Sequence, residues 1–301
     1  MHSTKAFLFA CLTLLPLSAQ SLRFTSITVF SNNTVQVGIT GPTNATFYLE
    51  RLNKTNQNFE VANTFTLTTN STTNITLALS QGNYGFIRTE STNGAVKSTN
   101  AVGVVVGTVG YGYSLLGNPF GNLTLTSIFP SPIDGMSVYQ WKNATTNYIA
   151  ADYIGGVGWT TNLTIAGLEG FFLSNPVTNA VRFVFSGIFA TNESKTVPKG
   201  DSIIASQRLN LITPSSGLSD LLSTNDLDGF SNLPVFATGF SPQSRIGKYD
   251  AVSATYDQYY LTNSAGWYLN GVKSTVPIYL ADGFWINRPT NATWSVTRPI
   301  W

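Results

Sequence analysis

The chain has 301 residues with 16 basic and 14 acidic side chains, so charged residues make up 10% where roughly 25% is usual for soluble proteins. So even a balance leaves no basic stripe for nucleic acid and no acidic tail. Imidazole and thiol chemistry could come only from His2 and Cys11, the single histidine and cysteine of the chain.

Both residues lie in a leader. "MHSTK" carries a lysine, "AFLFACLTLLPL" is an unbroken apolar run, and "SAQ" supplies a small-residue cleavage site after Ala19. This is the layout of a secretory signal peptide over residues 1–19, with an apolar run too short to span a bilayer. No later segment is apolar for long enough to predict a transmembrane helix. On this reading the mature chain has no imidazole, no thiol and no disulfide. Ser–His–Asp and Cys–His catalysis are then excluded, as are zinc sites of ordinary composition. No phosphate loop or dinucleotide fingerprint is present, and no cofactor is expected.

Residues 20–106 predict one β-sandwich. Short alternating runs such as "TVQVGIT", "TFYLERL", "FEVANTFTL", "YGFIRTES" and "AVGVVVG" give seven strand candidates with "SNN", "GPTN" and "STNG" as turns. Seven strands with a turn signal about every ten residues are the mark of a sandwich. The stretch "LSQGNYGFIRTESTNGAVKSTNAVGV" resembles the F and G strands of fibronectin type III modules, with Tyr84 at the F-strand tyrosine. That resemblance implies an Ig-like spacer or adhesion module without catalysis.

The rest of the chain divides into two related units, residues 107–198 and 199–301. "YSLLGNPF" opens the first and "DSIIASQRL" the second. "GWTTNLTIAGLEGFF" (158–172) is echoed by "GWYLNGVKSTVPIYLADGFW" (266–285). Tyr139 pairs with Tyr249 at an offset of 110, Trp159 with Trp267 at 108, and Phe172 with Trp285 at 113. The second unit carries an insertion near residues 211–235, in which "GLSDLLSTNDLDGF" is the best candidate for a helix. The pattern "YSLLGNP … DGMSVYQW … GW … GLEGFFLSNP" resembles repeats of uncharacterised secreted β-rich proteins from verrucomicrobial and planctomycete-type bacteria. The fold expected for the whole chain is all-β, a fibronectin-like sandwich followed by two related β domains.

Four features carry possible chemistry. Glu169 and Asp282 precede the repeated glycine and aromatic pair, and paired carboxylates are what a glycosidase needs. Equivalent positions in tandem units are expected to lie far apart, however, and an acid before glycine is ordinary turn chemistry. The tryptophans Trp141, Trp159, Trp267 and Trp285, with Tyr139, could stack pyranose faces or fill a core that has no disulfides. Recurrence at one architectural position favours core. Yet neighbours on a strand point oppositely, which leaves one residue of each "GFF" and "GFW" pair free to face outward. Asparagine sequons such as Asn122 and Asn162 arise by chance in a chain this rich in Asn, Ser and Thr, and no glycosylation is inferred from them. Asp226 and Asp228 of "NDLDG" are spaced like calcium ligands but lack the distal glutamate.

The function expected from these features is non-enzymatic. A weakly charged, hydroxyl- and amide-rich surface on tandem β modules suits an extracellular structural or adhesive protein, associating with itself or with other surface components. The alternative is a polysaccharide-binding protein that uses Tyr139, Trp141, Trp159, Trp267 and Trp285.

Overall fold

A computed structural model describes residues 21–32, 34–52, 59–68, 72–78, 84–189, 192–205, 245–262, 266–273 and 281–297. The leader, the insertion with its predicted helix, and the Asp226/Asp228 loop lie outside these residues.

The described chain is all-β apart from one helical turn, as the alternating apolar runs predict. The first seven strands are β1 (Arg23–Val29), β2 (Thr34–Thr40), β3 (Ala45–Leu52), β4 (Phe59–Leu67), β5 (Thr72–Ala78), β6 (Tyr84–Ser91) and β7 (Ala101–Val109). They form two antiparallel sheets, β1-β2-β5 and a second in which β7, β6, β3 and β4 are successive neighbours. Because side chains alternate along a strand, Val35, Val37 and Ile39 of β2 meet Val102, Val104 and Val106 of β7 in one core with Phe24, Phe47 and Leu49. The opposite face of β7 sends Ala101, Val105 and Val109 into a second core.

The remaining elements in chain order are β8 (Gly112–Asn118), β9 (Leu123–Thr124), α1 (Leu125–Ile128), β10 (Ser137–Lys142), β11 (Asn147–Ile154), β12 (Gly158–Trp159), β13 (Thr164–Ile165), β14 (Glu169–Asn175) and β15 (Val181–Phe189). They continue with β16 (Asn192–Val197), β17 (Gly200–Ala205), β18 (Arg245–Asp250), β19 (Thr255–Thr262), β20 (Gly266–Leu269), β21 (Val272–Lys273), β22 (Gly283–Arg288) and β23 (Ala292–Thr297). β15 pairs with β7 along its whole length, from Val181 opposite Val109 to Phe189 opposite Ala101. It therefore completes a five-stranded middle sheet, and the sequence boundary at residue 106 falls inside β7. Gly103 and Gly187 face each other across this pair, and a Cβ on either would collide with Phe120, which is packed into the dent between them.

Beyond the second core lies a long sheet with the order β12-β11-β10-β14-β17-β22-β18-β19-β20-β21, and with β8 also on β14. Its two halves use the same pairings: β8 with β14, β14 with β10 and β10 with β11 in one, β17 with β22, β22 with β18 and β18 with β19 in the other. They are joined reciprocally. Glu169 lies opposite Ile204, and Asp282 opposite Leu116. The Ala205 N–H donates to the Leu168 carbonyl at 3.1 Å, and the Gly117 N–H donates to the Ala281 carbonyl at 2.8 Å. Leu168 and Ala281 both have positive φ, 63° and 71°. A Cβ on Gly170 or Gly283 would press on the backbone carbonyl of Ile204 or Leu116. The doubled acid–glycine motif is thus the junction of the two halves, where glycine admits the partner strand. The sequence expectation that Glu169 and Asp282 sit in distant units gives way to this junction.

Two buried asparagines hold the ends of the central strands. The Asn118 amide donates to the carbonyls of Gly121 and Ile165 and its oxygen accepts from the Phe120 N–H. Asn175 does the same with Gly110, Asn179 and the Val177 N–H. Both precede proline in the sequence, in "GNPF" and "SNP", so these motifs anchor loops. No described helix is long and apolar enough to cross a membrane.

Candidate functional site

Strand alternation gives the long sheet two faces of different use. Val138, Phe171 and Leu173 point inward to the second core, and Phe284 and Ile286 are fully buried on the same side of β22. Their neighbours point the other way. Tyr113 on β8, Tyr139 and Trp141 on β10, Tyr148 on β11, Phe172 on β14, Tyr249 on β18, Tyr256 on β19 and Trp285 on β22 all lie on the outer face.

These rings are contiguous. Tyr113 lies 6.3 Å from Tyr139, and Tyr139 lies 6.3 Å from Tyr148, centroid to centroid. Trp141 is 5.2 Å from Tyr148 and 5.0 Å from Trp285, both edge to face. Phe172 joins Tyr148 at 6.2 Å to Tyr249 at 5.5 Å, and Tyr249 lies 5.2 Å from Tyr256. Edge-to-face pairs at these separations add about 0.5–1.5 kcal/mol each beyond area burial. The array is therefore held in place by its own contacts. It is also open: Tyr113 is 50% exposed, Tyr148 40% and Tyr256 39%, while Phe172 forms a buried floor.

The polar tips are fixed as well. The Trp141 indole N–H donates to the Asp201 carbonyl at 2.9 Å, and the Trp285 indole N–H donates to the Tyr256 hydroxyl at 3.2 Å. Burial pushes the Tyr148 hydroxyl up to about 12, with the neighbouring Tyr256 adding to the shift. Burial raises Tyr256 in the same direction. Both hydroxyls stay protonated, and so able to donate, through the whole neutral and mildly alkaline range.

Of the five residues singled out in the sequence, Tyr139, Trp141 and Trp285 come together on this face. Trp159 does not. It stands opposite Tyr153 and packs on the core side, 6.1 Å from Phe129 and 5.4 Å from Tyr153, with its indole N–H buried. Trp267 lies in β20 opposite Leu261, and its side chain is outside the described residues. Tyr113, Tyr148, Tyr249 and Tyr256 went unselected in the sequence. The signal that could have found them is the alternation of "NYIAADYI" and "TYDQYYLT", read against that of "SVYQWK" and "RIGKYD".

The register also corrects the correspondence between the halves. Trp141 stands opposite Tyr148 as Tyr249 stands opposite Tyr256, and Tyr139 stands opposite Ala150 as Gly247 stands opposite Gln258. The matching offset is 108, so Tyr249 corresponds to Trp141 and Gly247 to Tyr139. Aligning tyrosine on tyrosine had shifted the strand by one pleat.

The two carboxylates at the junction each have a partner within their own half. The Glu169 carboxylate accepts from the Ala166 N–H at 2.9 Å, and Asp282 pairs with Lys248 at 3.6 Å. No cluster of three metal-ligating side chains occurs among the described residues. No protein-family model matches the chain, and no curated protein is significantly similar to it.

Proposed function

We propose that this is an exported, non-enzymatic adhesive protein of the extracellular surface that holds polysaccharide on the aromatic face of its long sheet. The carrying observation is the continuous open array from Tyr113 to Tyr256, built by both halves of the sheet. Sugar rings present apolar C–H faces that stack on such surfaces, and tyrosine hydroxyls at the margins reach their hydroxyls. Several rings in a row suit a chain of sugars better than a single small molecule. The leader over residues 1–19 supports export, and a chain in which only the leader contains histidine or cysteine supports a binding role over catalysis. The two antiparallel sheets into which residues 20–109 put their seven strands, the second completed by β15, support the Ig-like spacer reading of residues 20–106. The matching pairings and reciprocal junction of the two halves support their origin as a tandem repeat. Co-sedimentation of the mature chain with insoluble polysaccharides tests the function: the protein pellets with at least one of them, and a Trp141→Ala, Trp285→Ala variant with an intact fold stays in the supernatant.

A second reading, self-association, is favoured by β4. This nine-residue strand ends the five-stranded sheet, and Val61 on it is 53% exposed. Long, weakly charged edges template pairing with another chain. The two ends of the long sheet, by contrast, are strands of two residues each. Light scattering on the mature chain would show concentration-dependent growth that Val61→Lys suppresses.

A further inference from the structure

The aromatic face is not the same in its two halves. Where Tyr139 fills the first half, Gly247 stands in the second, between Trp285 on β22 and Gln258 on β19. The missing side chain leaves an open cleft of about 500 Å³ lined by Asp201, Arg245, Tyr256, Gln258, Trp285 and Asn287. Asp201, Arg245, Gln258 and Asn287 bring charges and amides where the first half has only hydroxyls or a methyl group. Asp201 and Asn287 face each other as Tyr113 and Ser174 do, Arg245 lies opposite Asn287 as Ser137 lies opposite Ser174, and Gln258 stands where the first half has Ala150.

The cleft's hydrogen bonds orient it toward a ligand. Asn287 donates to one Asp201 carboxylate oxygen at 2.7 Å, which leaves the other oxygen to accept. Tyr260 donates its hydroxyl to the Gln258 side-chain oxygen at 2.8 Å and so turns the amide nitrogen outward as a donor. Trp285 donates to the Tyr256 oxygen, leaving that hydroxyl's hydrogen for a partner. The Arg245 guanidinium lies over the Tyr260 ring, 5.3 Å from its centroid. A carboxylate acceptor flanked by several donors beside one indole matches adjacent hydroxyls on a ring with an apolar face. Asp201 and Arg245 bring opposite charges to the same cleft, so a ligand with its own charge gains from one and loses to the other.

We infer that this cleft is the anchoring subsite of the face and takes one neutral pyranose unit of a polysaccharide. Its vicinal hydroxyls donate to Asp201 and accept from Gln258 and Arg245, and its C–H face lies on Trp285. The inference rests on the proposal that the aromatic face binds polysaccharide. The first half of the sheet then supplies stacking along the chain, while the second half selects the sugar.

Calorimetric titration of the mature chain with neutral gluco-, manno- and galacto-oligosaccharides and with an oligouronate tests it. At least one neutral series binds, and binds better than the uronate. Asp201→Asn weakens it by about 10- to 100-fold, the loss expected for hydrogen bonds to a charged acceptor. Gly247→Tyr, which gives the second half the residue of the first, abolishes oligosaccharide binding. A Cβ at Gly247 meets its neighbours at 3.4 Å or more, so Gly247→Ala is a milder filling variant that the fold accommodates. If these three variants bind like the parent while Trp141→Ala loses affinity, the subsite is overturned and the face reading stands. If the uronate binds tightest, neutral selectivity is overturned. If no oligosaccharide binds the parent protein, the face reading fails and the subsite with it.

Discussion

Phe171 and Phe172 are neighbours in sequence and opposites in role, as are Phe284 and Trp285. The first of each pair is fully buried under the long sheet and the second belongs to the face above it. Phe171 belongs to the core that β7 and β15 share, so the underside of the first half is covered by another sheet. The upper side carries the eight rings described above, yet no described sheet covers them. Aromatic content therefore does not distinguish a core from a binding platform here, and only the pleat does. Trp159, a tryptophan at a repeated position, packs against the core.

The largest effect expected from breaking this contrast is on the underside. Phe171→Ala or Phe284→Ala removes a fully buried ring and leaves a cavity, at a cost of about 3–5 kcal/mol. Thermal denaturation followed by circular dichroism should show a large fall in melting temperature or loss of a cooperative transition. At the junction, Gly170→Val or Gly283→Val forces a side chain onto a backbone carbonyl and costs about 1–3 kcal/mol, on the scale of overpacking. On the upper side the order of effects reverses. Tyr148→Ala should lower polysaccharide affinity by about tenfold, one stacking contact's worth, with a smaller change in melting temperature than Phe171→Ala.

Alkaline titration sharpens the contrast further. Tyr148 has its folded-state value raised to about 12 from an ordinary 10.0, so burial favours the neutral phenol. Its contribution to stability is complete below pH 10 and is lost as the pH climbs from there toward 12. Ultraviolet titration of tyrosinate should show a late-ionising class that Tyr148→Phe reduces. The smallest effect is expected at Lys248, whose pair with Asp282 is partly exposed at 3.6 Å. Lys248→Ala should shift stability by no more than about 0.5 kcal/mol and leave binding unchanged.

Much of the fold was legible because local alternation dictates it. The seven strands of the first sandwich follow their apolar runs, and the split within "GFF" and "GFW" follows from strand geometry alone. What was not legible depends on distant pairing. Nothing local in "VRFVFSG" says that it joins β7 some eighty residues earlier, yet the glycines of β7 and β15 that receive Phe120 make sense only together. Which of the two readings offered for Trp159 holds could not be decided locally, because a two-residue strand has no alternation to read. Asp201, Arg245 and Asn287 were invisible as a group because three separate strands bring them to one cleft, and the insertion between β17 and β18 separates them in sequence. The shift between offsets of 110 and 108 came from matching residue type where only the cross-strand register decides.

The most direct test of the central claim is a tryptophan-fluorescence titration of the mature chain with a polysaccharide that it retains. Among the described side chains, Trp141 and Trp285 report contact on the upper face, and Trp159 reports the core. A saturable emission change that survives Trp159→Phe and disappears in the Trp141→Phe, Trp285→Phe variant is the predicted result. An unchanged titration in that double variant would contradict the claim that the aromatic face is where the glycan lies.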